Sequence, residues 1–107
     1  MFGVKKEKKK NQEFVEKDDR IDCMYNGNVI GSVTFIEEEG FLIIDSIVVS
    51  PGYSYRTIGS QLVWACVEKA LREGKKCDPL SPFAEKEFGR HPEYQAVRGS
   101  AQGEWYL

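Results

Sequence analysis

The chain has 107 residues, enough for one hydrophobic core and too few for two. Hydrophobic residues make up 41% and charged residues 30%, a balance that argues against disorder along the whole length. The net charge of −2 speaks against a general nucleic-acid binder, which needs a basic face, and no apolar run is long enough to span a bilayer.

The chain opens on a basic cluster, "VKKEKKKNQ", from Val4 to Gln12. Residues 1–12 read as a flexible, solvated segment of one domain spanning 1–107, with an arm for an anionic partner as the alternative. Polar "NQE" follows the lysines where a signal peptide would need an apolar stretch. Three cysteines, Cys23, Cys66 and Cys77, lack the close pairing of a zinc site, so no metal is expected. Their odd number suits a reducing compartment, and a cytoplasmic location is the simplest expectation.

A short strand is expected around Glu13–Glu16. In "RIDCMYNGNVIGSVTF", Ile21, Cys23 and Tyr25 alternate with polar residues, and Asn26 and Gly27 tolerate the positive φ of a primed hairpin turn. The returning strand runs from Val29 to about Ile36, and the acidic "EEEG" of Glu37–Gly40 turns the chain again. "FLIIDSIVV", Phe41–Val49, is an apolar run broken only by Asp45 and Ser46, as in a central strand covered on both faces. The period then changes. Leu62, Val63, Cys66, Val67, Ala70 and Leu71 recur at three and four residues, the mark of one helical face, and Gly74 stops the helix. "KKCDPL" fits a short strand, and Ser81 followed by Pro82 starts a second, shorter helix. Trp105 and Tyr106 suggest a closing strand or docked tail. The order predicts an α/β fold, α+β by a stricter definition, with a mixed and mostly antiparallel sheet.

Between the long strand and the long helix lies "PGYSYRTIGSQL", Pro51–Leu62. A strand that turns into a helix aims several unpaired amides at one point, and the helix dipole favours an anion there. Arg56 adds a guanidinium, and Ser54, Thr57 and Ser60 add hydroxyls. The alternative is an ordinary helix start, capped by Ser54 or Thr57, with Gly59 packed against the sheet.

"VVSPGYSYRTIGSQLVWACVEKALREGKK" resembles the acetyl-CoA-binding segment of the GNAT N-acetyltransferases, with Val49, Pro51, Tyr53, Ile58, Gly59, Ser60 and Leu62 matching common residues. Ser54 stands where Gln or Arg is usual, and Thr57 where the first glycine of the loop belongs. "DPLSPFAEKEFGRHPEYQAV", Asp78–Val97, is similar to the end of very short GNAT-like proteins, down to an intact "HPEY" at His91–Tyr94. The resemblance implies a compact GNAT-like fold, acetyl-CoA as co-substrate and an amine as acceptor. It places the pyrophosphate on the amides around Ser54, Tyr55, Arg56, Thr57, Ile58, Gly59 and Ser60, and the pantetheine arm on backbone near Ile47 and Val49. A positive φ at Thr57 would strain that residue by about 1–2 kcal/mol.

Ser81 stands where the short subfamily commonly has a cysteine, and it reads either as a nucleophile or as a simple N-cap. Direct attack by the amine needs a base and an acid. Asp45 and His91 are candidate bases and Tyr94 a candidate acid; each also has a structural reading as a backbone partner or a packed ring. Glu37–Glu39 reads as a solvated turn or an acidic rim for a cationic amine. Two further readings stay open: a catalytically reduced module that binds acyl-CoA or a partner protein, and an unrelated interaction domain.

Overall fold

The computed structural model describes residues 11–101. Five strands form one sheet in the order of the chain: β1 (Gln12–Glu16), β2 (Arg20–Tyr25), β3 (Asn28–Glu38), β4 (Phe41–Val49) and β5 (Lys76–Asp78). The first four pair antiparallel, and β5 joins β4 in parallel. The parallel pair follows from the connection, because the chain crosses the sheet through α1 (Tyr55–Glu73) before returning. A second helix, α2 (Pro82–Arg90), and a 3₁₀ turn (Pro92–Ala96) complete the described chain. No helix among the described residues is long and apolar enough to cross a membrane.

Local chemistry sets most of these boundaries. The β2–β3 hairpin turns through Asn26 at φ 51° and Gly27 at φ 82°, both left-handed as a primed turn requires. Ser54 caps α1 by accepting the Thr57 amide at 3.0 Å, and left-handed Gly74 ends it. Ser81 caps α2, with Pro82 in its first turn. Gln12 is buried and opens β1, so ordered strand begins inside the stretch read as a flexible arm. The lysines before it, and Trp105 and Tyr106, lie outside the described residues.

The core lies between the sheet and α1. Ile21, Val33, Leu42 and Ile44 from the strands meet Leu62, Val63, Cys66, Val67 and Ala70 from the helix. Leu71 was expected on that face, yet it is exposed. Each step of four residues advances about 40° around a helix axis, so the row Gly59, Val63, Val67 and Leu71 has turned away from the sheet by its last member. Lys69 occupies the margin of the face. It is buried along its stem, ion-paired with Glu73 at 2.8 Å and placed over the Phe35 ring.

The expectation for β4 holds for half of the strand. Leu42, Ile43 and Ile44 are all buried, whereas Asp45, Ser46 and Val48 are exposed. The reason is alternation: Ile47 points into the core beneath α1, whereas Ser46 and Val48 point to the opposite face, and β5 runs beside only Phe41, Leu42 and Ile43. The register also slips here. Thr34 faces Ser46 and Phe35 faces Ile44, which leaves Asp45 as the extra residue of a β-bulge.

All three thiols are buried. Burial pushes the Cys77 thiol up to about 12, with the Asp78 carboxylate adding to the rise, and burial likewise raises Cys23 and Cys66. In the folded protein none of the three is expected to react rapidly with a disulfide reagent at pH 8, while all three react in guanidinium; rapid labelling without denaturant would contradict this packing. At alkaline pH the unfolded chain loses the Cys77 proton first, so stability falls as pH rises from 9 toward about 12. Chemical denaturation across that range should show a shallower decline for Cys77→Ala than for the wild type.

Candidate functional site

Beyond Ile43 the free side of β4 has no strand beside it. Pro79 lacks an amide proton and interrupts β5, and the Ser81 amide makes a last bond to the Ile44 carbonyl at 3.1 Å. From there the chain continues as α2, and β4 and α2 face one another across an opening. The opening is a cleft of about 430 Å³. Asp45, Ser46 and Ile47 line it from β4, Tyr55 from the start of α1, and Ser81, Pro82, Phe83 and Lys86 from α2. The Ile47 carbonyl faces this open side, where it accepts the Tyr55 hydroxyl at 3.3 Å. Val49, two residues on, presents its backbone to the same side.

The start of α1 closes one end of the cleft. Pro51 and left-handed Gly52 make a turn, with the Tyr53 amide returning to the Ser50 carbonyl at 3.2 Å. The left-handed residue of this connection is therefore Gly52, outside the helix. Thr57 has no positive φ and carries no such strain. Its amide is taken by Ser54 Oγ and that of Ile58 by the Ser54 carbonyl, and regular helical bonds begin at Gly59. The amides of Tyr55 and Arg56 have no acceptor within the helix. The first turn holds no acidic residue, and exposed Arg56 adds a positive charge. This end of α1 is suited to an anion.

Gly59 has a different partner from the sheet. A Cβ there would lie 2.9 Å from Cε2 of Phe83, so glycine is what lets α2 close onto α1. Phe83 in turn meets the Tyr55 ring edge-on at 5.1 Å. The sequence shows the glycine but not its partner, which lies on another helix. Lys86 was also overlooked as a lining residue, although its place one turn after Pro82 puts both on the same face of α2.

The structure gathers Asp45, Ile47, Tyr55 and Ser81 at the cleft and leaves His91 and Tyr94 elsewhere. Asp45 is exposed on its bulge, and neighbouring Ser46 is tied to Thr34 Oγ1 at 2.8 Å. Ser81 Oγ accepts the Ala84 amide at 3.2 Å and serves as the N-cap of α2. His91 caps the other end of α2, about 15 Å away along the helix, so it does not reach the Ser81 hydroxyl. Its ring stacks on Tyr94 at 4.5 Å, with Nε2 3.5 Å from Glu87 and Nδ1 3.4 Å from Glu93. Tyr94 is buried between Trp64, stacked at 5.8 Å, and Phe88, edge-on at 5.2 Å. Burial, reinforced by the charges of Glu87 and Glu93, raises its hydroxyl well above the ordinary tyrosine range.

Comparison with known proteins gives matches in family and in fold. The family model of the GCN5-related N-acetyltransferases matches residues 20–97. The NMR solution structure of a GCN5-like protein from Staphylococcus aureus, described as a candidate N-acetyltransferase, superposes with a TM-score of 0.67. That superposition covers 86% of this chain and 92% of the other at 21% identity, a likeness of fold. A search of curated proteins found no match.

The Gly59–Phe83 contact makes a direct prediction. Gly59→Ala should destabilise the protein by about 1–3 kcal/mol in urea unfolding, because a rigid ring must move to admit the methyl. Adding Phe83→Leu should recover part of the loss. Additive effects of the two changes would show that the helices do not meet there.

Proposed function

Because the chain belongs to the GCN5-related N-acetyltransferase family, we propose that it takes acetyl-CoA in the β4–α2 cleft and transfers the acetyl group to an amine by direct attack. One observation carries the reading: a strand edge free from Asp45 to Val49 leads to a helix N-terminus whose first turn has free amides and no acidic side chain. An extended arm of amides ending in a pyrophosphate fits that sequence of groups, and the residues present are suited to holding it.

In this reading the amides of Tyr55 and Arg56, with the Arg56 guanidinium, hold the pyrophosphate. Ser54, Thr57, Ile58, Gly59 and Ser60 build the turn and cap that aim those amides. The backbone of Ile47 and Val49 pairs with the pantetheine arm as a missing strand would. When bound, acetyl-CoA supplies an acyl carbon activated as a thioester. The amine nitrogen forms the new bond to that carbon, the carbon–sulfur bond breaks, and the ammonium proton must be removed before attack. Asp45 is the single carboxylate lining the cleft; it holds the ammonium and takes its proton. The nitrogen sheds its second proton as the amide forms, and that proton passes through solvent to the departing thiolate. His91 and Tyr94 act as the aromatic brace of α2 in this scheme, and Ser81 acts as its cap.

A second reading, an acyl-CoA-binding or protein-interaction module without turnover, draws support from the same lining: neither the histidine nor the buried tyrosine reaches the cleft.

Calorimetric titration with acetyl-CoA, followed by thiol release over a panel of amines, tests both. Binding with release supports the transferase, binding alone supports the module, and no binding at millimolar acetyl-CoA rejects both acyl-CoA readings. Asp45→Asn should lower kcat about 100-fold with little change in the KM for acetyl-CoA, the signature of a lost base. Ser81→Ala should cost about 1 kcal/mol of stability as a lost N-cap and retain turnover. If Ser81→Ala stays folded and releases no thiol, an acyl-serine route replaces direct attack.

A further inference from the structure

We propose that Tyr55 is the gate of the cleft: in the free protein its side chain closes the open edge of β4, and a ligand amide enters by taking over the Ile47 carbonyl that the tyrosine hydroxyl holds. This rests on the reading of the cleft as an acyl-CoA site and goes beyond it by assigning the step that admits the ligand.

A carbonyl on an unpaired strand edge takes its donor from outside the sheet, from water or from a side chain. For Ile47 the donor comes from another element, the Tyr55 hydroxyl at 3.3 Å. To make that bond the side chain spans the gap between the first turn of α1 and β4, the same gap through which an extended ligand running from Ile47 toward the α1 amides must pass. Ligand and tyrosine therefore compete for one space as well as one acceptor. The tyrosine is also held lightly. Its hydroxyl bond is long for an O–H donor, its ring makes one edge-on contact with Phe83, and 45% of the residue is exposed. Rotation of the side chain toward solvent breaks these two contacts and leaves the helix cap intact, because Ser54 makes the cap. A closed population of this kind lowers apparent affinity by the fraction that is open.

The test compares wild type, Tyr55→Phe and Tyr55→Ala, each first shown by circular dichroism and melting to be folded. Calorimetry gives the affinity for acetyl-CoA, stopped-flow mixing gives the association rate, and the ¹³C shift of the Ile47 carbonyl reports the bond in the free protein. Tyr55→Phe keeps the ring and removes the lock, so affinity should rise about fivefold, the factor that one ordinary neutral hydrogen bond represents. Association should quicken with it, the Ile47 carbonyl shift should move before any ligand is added, and Tyr55→Ala should bind at least as fast. If acetyl-CoA binds all three proteins alike, or binds the variants more weakly, the gate is overturned and the acyl-CoA reading stands. If it binds none of them, that reading falls and the gate falls with it. An Ile47 carbonyl shift unchanged in free Tyr55→Phe overturns the gate without reference to ligand.

Discussion

β5 stops pairing with β4 at Asp78 because Pro79 brings no amide proton, and the chain then turns tightly, with the Leu80 amide on the Asp78 carbonyl at 2.9 Å. Ser81 is committed twice in the next step, its amide to Ile44 and its hydroxyl to the start of α2. A longer β5 would cover the free side of β4 and leave no cleft. The shortness of the β4–β5 pairing exposes the Ile47 carbonyl, gives α2 its departure point and leaves the bulge at Asp45 facing open space. A bulge adds local twist to the strand that carries it. Here it falls where the neighbouring strand has already ended.

The far wall needs support of its own, since α2 makes no strand pairing. Two contacts provide it. At its start, Phe83 lies against Gly59 of α1. At its end, Phe88, Tyr94, His91 and Trp64 form a group of rings that fastens α2 and the 3₁₀ turn to the middle of α1. The "HPEY" stretch thus has a physical role in this fold apart from any chemistry: Pro92 starts the turn, Tyr94 fills the space beneath it, and His91 covers Tyr94. Glu87 is the polar member of the group. It is buried, with one carboxylate oxygen bonded to Arg90 at 2.8 Å and the other nearest to His91.

The family and the general fold were legible in the sequence because they depend on local signals. Asn26–Gly27 specifies its own turn, Ser54 and Gly74 bracket a periodic apolar stripe, and Ser81–Pro82 begins a helix wherever it is placed. The site was legible only in part. That Asp45 sits on a bulge depends on the register between β3 and β4, which residue types do not fix. That Gly59 faces Phe83 depends on how α2 packs on α1, and that Tyr55 reaches Ile47 depends on how the turn at Pro51–Gly52 sets the start of α1 against β4. Leu71 shows the same limit on a smaller scale, since periodicity names the stripe but not how far around the helix the sheet covers it. The glycine-poor turn is the most instructive case. The left-handed residue lies at Gly52, ahead of the helix, so threonine at position 57 is compatible with ordinary helical geometry.

The pairing of β4 with β5 also bears on the order in which the protein assembles. Strands β1 to β4 join neighbours in the chain through short turns, so their contacts close small loops. β5 reaches its partner only after the whole of α1 has been laid across the sheet, and it does so with three residues. High sequence separation makes this a late contact in folding, and burial of Cys77, Ala84 and Phe88 in the shared core holds it once it is made. The two walls of the cleft thus come together late in folding, and the cleft exists only once the last strand pairing has been made.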